Sequence, residues 1–319
     1  MHNRNTNWGY KRPLCLASEK TEQIIFRIIL KLKKVMKHSL LKIFSLLILI
    51  ACNNEKETNQ NIDNQTILNQ LAANYVQMPE KLITSSLDSS VYAQYAMPTE
   101  KYGHGVLGDK IEAGQLVAVV DGVFYEFTLQ SDYVYEDIRP RLYDVDGDNQ
   151  LEFITIRTNV SKGAGIVIYK IYDEHLSEYA YVPEIGASYK WLNIVTINDL
   201  DNDGIVELVW IQTPHIGGIL KVAKINAGAL QVLDTESQYS NHEGGERNMC
   251  LSILTEQSSQ KIFYVPSQSK NKIVGFTFEN NQLNAFEEIT QLVDFSKTLS
   301  SQYNFINPIE DEINCINVK

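Results

Sequence analysis

Two nine-residue segments of this chain align without a gap at an offset of 55 positions, and both read D-x-D-x-D-x-x-x-E. The first is Asp144-Val145-Asp146-Gly147-Asp148-Asn149-Gln150-Leu151-Glu152. The second is Asp199-Leu200-Asp201-Asn202-Asp203-Gly204-Ile205-Val206-Glu207. Self-similarity at such a period is the mark of solenoids, propellers and arrays, in which one supersecondary unit is copied and stacked.

Each copy has the parts of a calcium loop. Ca²⁺ takes six to eight hard oxygen ligands, chiefly carboxylates and carbonyls. Asp144, Asp146 and Asp148, and likewise Asp199, Asp201 and Asp203, converge if the chain turns tightly. Gln150 and Ile205 offer a backbone carbonyl at position 7, and Glu152 and Glu207 close the cage at position 9. Tight turning calls for residues that accept a left-handed backbone, and Asn149 and Gly204 stand at position 6. An empty cluster of three or four carboxylates would be costly through mutual repulsion. An EF-hand sets its closing Glu at position 12, between helices. Here Glu152 runs into Phe153-Ile154-Thr155-Ile156 and Glu207 into Leu208-Val209-Trp210-Ile211, which read as strands. Leu142-Tyr143 and residues 192–197 read as strands before the loops. A solvated acidic turn without an ion is the plain alternative for either loop alone.

The rest of the body is strands and turns. Residues 116–120 and 123–129 flank Asp121-Gly122, a hairpin with a type I′ turn. Residues 163–171, 217–225, 261–265 and 272–278 continue the series, and Asn280-Asn281 turns into residues 283–286. One helix is expected, over 66–75. The chain is therefore all-β, as a sandwich, barrel or propeller. The 55-residue repeat matches a four-stranded blade, so a small β-propeller of about four or five blades is the expected architecture.

The paired loops between strands resemble FG-GAP or VCBS repeats, the calcium-loop propeller blades of integrin α-chains and many bacterial surface proteins. Residues 102–109, 136–141, 214–217 and 241–245 further resemble landmarks of a small bacterial VCBS-repeat family with an N-terminal export signal. The likeness covers roughly residues 95–290. It implies Ca²⁺ on the ten loop positions named above and no catalytic residues. Asn149 in place of Gly, and Glu in place of Asp at position 9, depart from that pattern.

Charge is split along the chain. Residues 1–51 carry ten Lys/Arg against two Asp/Glu, which leaves 18 against 37 in the remainder, a net of −19. So acidic a body repels phosphate backbones, which argues against nucleic acid as a partner. From Met36-Lys37-His38 the chain passes through an apolar run, residues 40–50, to Ala51-Cys52. This reads as a lipoprotein signal with the lipidated thiol at Cys52. The run is about 11 residues, too short for the roughly 20 of a membrane span. Residues 1–35 read as upstream of the true start. Residues 52–65 read as a lipidated tether, 66–94 as a helical and extended lead-in, and 95–319 as the propeller. Asn53 fits sorting to an outer membrane, so the expected location is the bacterial cell envelope, extracytoplasmic and lipid-anchored.

Three further readings concern particular residues. His104, His215 and His242 each sit beside Gly in a loop; gathered on one face they would make a ligand or transition-metal site, and otherwise each caps a turn or packs under a loop. Cys250 and Cys315, in an oxidising compartment, form a disulfide or remain free thiols. The stretch Tyr133-Val134-Tyr135-Glu136-Asp137 is either a sugar-stacking platform or a packed strand. No nucleophile elbow, P-loop or H-E-x-x-H is present. The expected function is a binding module for a protein or glycan. The alternative is a propeller-scaffold enzyme, a lyase or hydrolase of polysaccharide, for which two distant carboxylates would suffice.

Overall fold

In a computed structural model, residues 63–249 and 251–289 are described. The signal segment, the tether over 52–62 with Cys52, and the Cys250–Cys315 pair lie outside them, while residues 63–65 of the expected tether are described and already belong to the helix and its cap. The expected helix is present as α1 (Asn64–Asn74). Asp63 caps it, its carboxylate accepting Thr66 N–H at 2.9 Å. Ile67 and Leu71, one turn apart, pack on Tyr92, Ala96, Val117 and Val119. Among the described residues no helix is long and apolar enough to cross a membrane.

Among the described residues after the helix the strand pairs are antiparallel, and all the strands but one form four four-stranded meanders. The first holds β1 (Ile83–Ser85), β2 (Val91–Thr99), β3 (Glu112–Val120) and β4 (Val123–Thr128). The second holds β6 (Arg141–Tyr143), β7 (Glu152–Asn159), β8 (Gly163–Tyr172) and β9 (His175–Val182). The third is β10 (Leu192–Asn198), β11 (Glu207–Gln212), β12 (Ile219–Asn226) and β13 (Ala229–Ser237). The fourth is β14 (Ile253–Gln257), β15 (Gln260–Pro266), β16 (Ile273–Glu279) and β17 (Gln282–Ile289).

One turn repeats through all four. The hairpin between third and fourth strands is made by Asp121-Gly122, Asp173-Glu174, Ala227-Gly228 and Asn280-Asn281. All eight residues have φ between +47° and +80°, the backbone of a type I′ turn, whose twist matches that of the flanking strands.

The expected propeller of about four or five blades is not set apart as four or five sheets, since the described strands form three sheets. A short extra strand, β5 (Tyr133–Tyr135), pairs with β7 and, through Tyr135–Ala113, with β3. It joins the first two meanders into one nine-stranded sheet, beside two four-stranded sheets. β5 also decides the aromatic–acidic stretch 133–137. Tyr135 is fully buried and donates its hydroxyl to Tyr169, and Arg157 lies over the Tyr133 ring. The stretch is a packed strand, and no sugar platform is made there. β1 and the start of β2 fall inside the helical and extended lead-in 66–94.

The apolar cores lie between consecutive meanders. Phe153, Tyr169, Leu116 and Tyr95 fill the space between the first and second. Ile154, Ile156, Trp191, Leu208 and Trp210 fill that between the second and third. Val209, Phe263, Val274 and Phe276 fill that between the third and fourth. Residues alternate along β7, so Phe153 faces one core while Ile154 and Ile156 face the next. Phe153→Ala should therefore cost about 3–5 kcal/mol, read as a lowered urea midpoint. An unchanged midpoint would mean that the first two meanders are not packed through this ring.

Candidate metal centre and loop end

The two acidic loops are the β6–β7 and β10–β11 connections, equivalent places in successive meanders. Their internal hydrogen bonds match almost atom for atom. In each, the N–H of position 6 donates to the second carboxylate oxygen of position 1: Asn149 to Asp144 at 2.9 Å, Gly204 to Asp199 at 3.0 Å. The N–H of position 7 donates to position 5, Gln150 to Asp148 and Ile205 to Asp203, both at 2.9 Å. The N–H of position 2 donates to Oε2 of the closing Glu, Val145 to Glu152 at 2.8 Å and Leu200 to Glu207 at 2.6 Å.

Positive φ recurs at positions 4 and 6 in both: Gly147 at 75° and Asn149 at 65°, Asn202 at 59° and Gly204 at 85°. The expectation concerned position 6 only. Gly and Asn have traded places between the copies, since both accept the left-handed region.

This folding gathers the carboxylates. Asp144, Asp146 and Glu152 bring an oxygen each within 4.8 Å of one another, and so do Asp199, Asp201 and Asp203. Glu152 and Glu207 are wholly buried, and Oε1 of each accepts no hydrogen bond; nor does Asp201 Oδ1. Burial pushes the carboxyls of Glu152 and Glu207 up to about 7. Buried acceptors left over in a pocket of carboxylates suit a hard divalent cation. Asp148 and Glu207 stand beside their clusters, and Gln150 and Ile205 occupy position 7.

Lys170 on β8 and Lys224 on β12, which no sequence motif flagged, reach into the loops. Lys170 Nζ lies 2.6 Å from Asp146, 2.8 Å from Asp148 and 3.1 Å from Glu152 Oε1. Lys224 Nζ contacts Asp203, and lies 3.0 Å from Asp201 and 3.4 Å from Glu207 Oε1. Burial alone would lower both ammonium groups, but their carboxylate partners outweigh it and hold them above the usual lysine range. The only hint in the sequence is that Lys170 and Lys224 repeat at 54, one short of the loop offset.

The histidines gather at the other end of the strands. The acidic loops lead into β7 and β11, whereas residues 213–218 leave β11. The segments 136–140 and 183–191 precede β6 and β10 and lie at that same opposite end. His215 Nε2 and His242 Nδ1 are 2.9 Å apart, and His242 Nε2 lies 2.8 Å from the Glu246 carbonyl. A carbonyl only accepts, so His242 carries its proton on Nε2 and accepts from His215 Nε2–H, which leaves His215 Nδ1 as an outward acceptor. His215 stacks on Trp191 at an interplanar angle of 3°, and Trp191 Nε1–H donates to the Glu136 carbonyl. His104 Nδ1 is 2.5 Å from Glu136 Oε1, on a carboxylate that is fully buried and also held by Thr158. Beside His104, Tyr189 lies parallel to buried Tyr102 at 5.2 Å between centroids, and Tyr189 is 58% exposed.

The three histidines thus lie in two ring clusters, His104 with Tyr102 and Tyr189, and His215 and His242 with Trp191, in which Tyr102, Trp191 and His242 are buried. They do not converge as metal ligands, because two are spent on each other and the third on Glu136. Gly245 N–H donates to the Val106 carbonyl, which ties segment 241–245 to segment 102–109. Tyr189, Trp191 and the role of Glu136 carried no motif; their juxtaposition comes from loops brought together by the stacking of meanders.

No protein-family model matches this sequence, and no curated protein matches it. Among solved structures, the chain is similar to the exotype rhamnogalacturonan lyase YesX, at 11% identity and a TM-score of 0.40, over 64% of this chain and 47% of that one. It is similar to a candidate 6-phosphogluconolactonase of Bacteroides fragilis at 12% identity and a TM-score of 0.37, over 65% and 56%. It is also similar to the rhamnogalacturonan lyase PL11 of Bacillus licheniformis at 16% identity and a TM-score of 0.35, over 55% and 42%. The match spans about half the length of these proteins.

Burial pulls the His242 imidazole down to about 4, with the neighbouring His215 adding to it. A depressed histidine binds fewer protons folded than unfolded between its two pKa values. Stability should therefore fall as pH drops from about 6.5 to about 4, by about 3 kcal/mol from this group. NMR titration of the histidine side chains checks this. A folded-state His242 titrating near 6.5 would contradict it.

Proposed function

We propose that the chain is a lipid-anchored, extracytoplasmic β-propeller of the calcium-loop type, braced by Ca²⁺ at one end of its strands and binding a glycan at the other. The observation that carries the ligand reading is the exposed Tyr189 ring, held parallel to Tyr102 beside His104. A flat ring of fixed orientation offers its face to the C–H side of a sugar. The free acceptor of His104 beside it suits a sugar hydroxyl donor. A protein ligand at the same end is the nearest rival.

The ions would be held by Asp144, Asp146, Asp148, Glu152 and the Gln150 carbonyl, and by Asp199, Asp201, Asp203, Glu207 and the Ile205 carbonyl. They would supply positive charge that pins each inter-strand turn. Anything that binds only the folded state raises the melting temperature. Millimolar Ca²⁺ should therefore raise that of the wild type by about 5 °C or more over chelator. Asp146→Ala and Asp201→Ala should each lose part of that gain, and the double variant all of it. If the variants and the wild type melt alike in both conditions, calcium is not the brace.

For the ligand, a glycan array followed by calorimetry on its best binder is the test. Tyr189→Ala should weaken binding about tenfold or more without changing the melting temperature. A blank array together with capture of one protein in a crosslinked pull-down would replace the glycan by a protein.

A second reading has its own observation. An imidazole whose Nδ1–H is fixed by a buried carboxylate presents a basic Nε2, the arrangement of a general base. On that reading the chain is a lyase or hydrolase of polysaccharide, with His104 accepting a proton and Glu136 positioning it. Release of new unsaturated or reducing ends, abolished in His104→Gln, would favour it over simple binding.

A further inference from the structure

Each acidic loop is already served by a cation of the chain's own. Lys170 reaches positions 3, 5 and 9 of the first loop, and Lys224 reaches the same three positions of the second. The match follows from sheet register. Lys224 pairs directly with Glu207, and Lys170 stands one residue beyond the Phe153–Tyr169 pair, beside Glu152. Two independent loops thus place an ammonium against the oxygens that a divalent ion would take. In each, the buried Oε1 of the closing Glu still accepts no aligned hydrogen bond. One ammonium cannot satisfy four carboxylates.

A calcium ion bonding those oxygens at about 2.3–2.6 Å would stand next to Nζ. Like charges in so small a space exclude each other, so one cation must leave. The lysine stem is flexible and can withdraw while its ammonium stays solvated. Each ammonium also has an aromatic face within reach: Lys170 Nζ is 5.6 Å from the Tyr179 ring centroid, and Lys224 Nζ is 5.8 Å from that of Phe278. Such a face can hold a displaced cation.

We infer that Lys170 and Lys224 are displaceable counter-ions of the two loops: they hold the turns closed when calcium is scarce and set how much calcium is needed to fill them. The inference rests on the calcium reading above. It makes loading a competition between one intramolecular charge and one divalent ion. Filling then occurs at the high calcium levels outside the cytoplasm, where modules of this affinity class work at about 0.1–1 mM.

The test is calorimetric titration of CaCl₂ into the chelator-treated full chain in detergent, for wild type, Lys170→Met, Lys224→Met and the double variant. Melting is followed in EDTA in parallel. Each Met variant should bind calcium about tenfold tighter at its own loop and melt at a lower temperature in EDTA. Lys→Arg variants, which keep the charge, should bind no tighter and serve as folded controls should a Met variant fail to fold. If wild type binds calcium and the Met variants bind it no more tightly, the counter-ion assignment is overturned while the calcium reading stands. If no variant and no wild type takes up calcium, the calcium reading falls and the displacement falls with it. A Met variant whose melting in EDTA is unchanged also overturns the assignment, since the ammonium would then be holding nothing.

Discussion

The structure depends on bringing like charges together. In each acidic loop the backbone turns so tightly that several carboxylates point into one small space, and it can do so only because cations and N–H groups meet them there. The backbone supplies part of the compensation: Asp144 and Asp199 each accept two N–H groups from their own loop. The closing glutamates tie back to the residue that opens the turn. What remains uncompensated is buried and oriented, which is the condition under which an ion is bound rather than merely attracted.

That constraint also organises the sheets. Each loop joins the first and second strands of a meander, while cores made of residues such as Ile156, Trp210 and Phe263 lie between successive meanders. A turn that shifted would move its strand, and through the strand two apolar interfaces. At the other end of the same strands the connections meet a buried carboxylate, Glu136, held by His104 and Thr158. Around it pack aromatic and imidazole rings, and buried Trp191, ahead of the third meander, donates to the Glu136 carbonyl ahead of the second.

Much of this was legible in residue types. Asp-x-Asp spacing, Gly and Asn at the left-handed positions, and β-branched runs after each Glu located the loops and their flanking strands. Asp121-Gly122 and Asn280-Asn281 announced two of the four hairpin turns. Asp173-Glu174 and Ala227-Gly228 adopt the same backbone with weaker turn chemistry, because strand pairing on both sides imposes it. β5 was hidden because three residues cannot show a period; it exists through pairing with strands on both sides. The stretch around it reads as either platform or strand, and the burial of Tyr135 selects the strand. The lysines escaped notice for a related reason. Lys170 and Lys224 fall inside runs 163–171 and 217–225 that read only as strands, and cross-strand register is what puts them against Glu152 and Glu207. Likewise, each histidine was visible alone, but the proton arrangement that spends His242 on Glu246 and His215 needs coordinates.

The most direct measurement of the central claim is the calcium content of the purified chain after equilibrium dialysis against millimolar Ca²⁺, read by elemental analysis beside the Asp146→Ala/Asp201→Ala double variant. One ion for each acidic loop in the wild type, and none retained in the variant, is what this account predicts. A wild-type chain that comes out of dialysis free of calcium would contradict it.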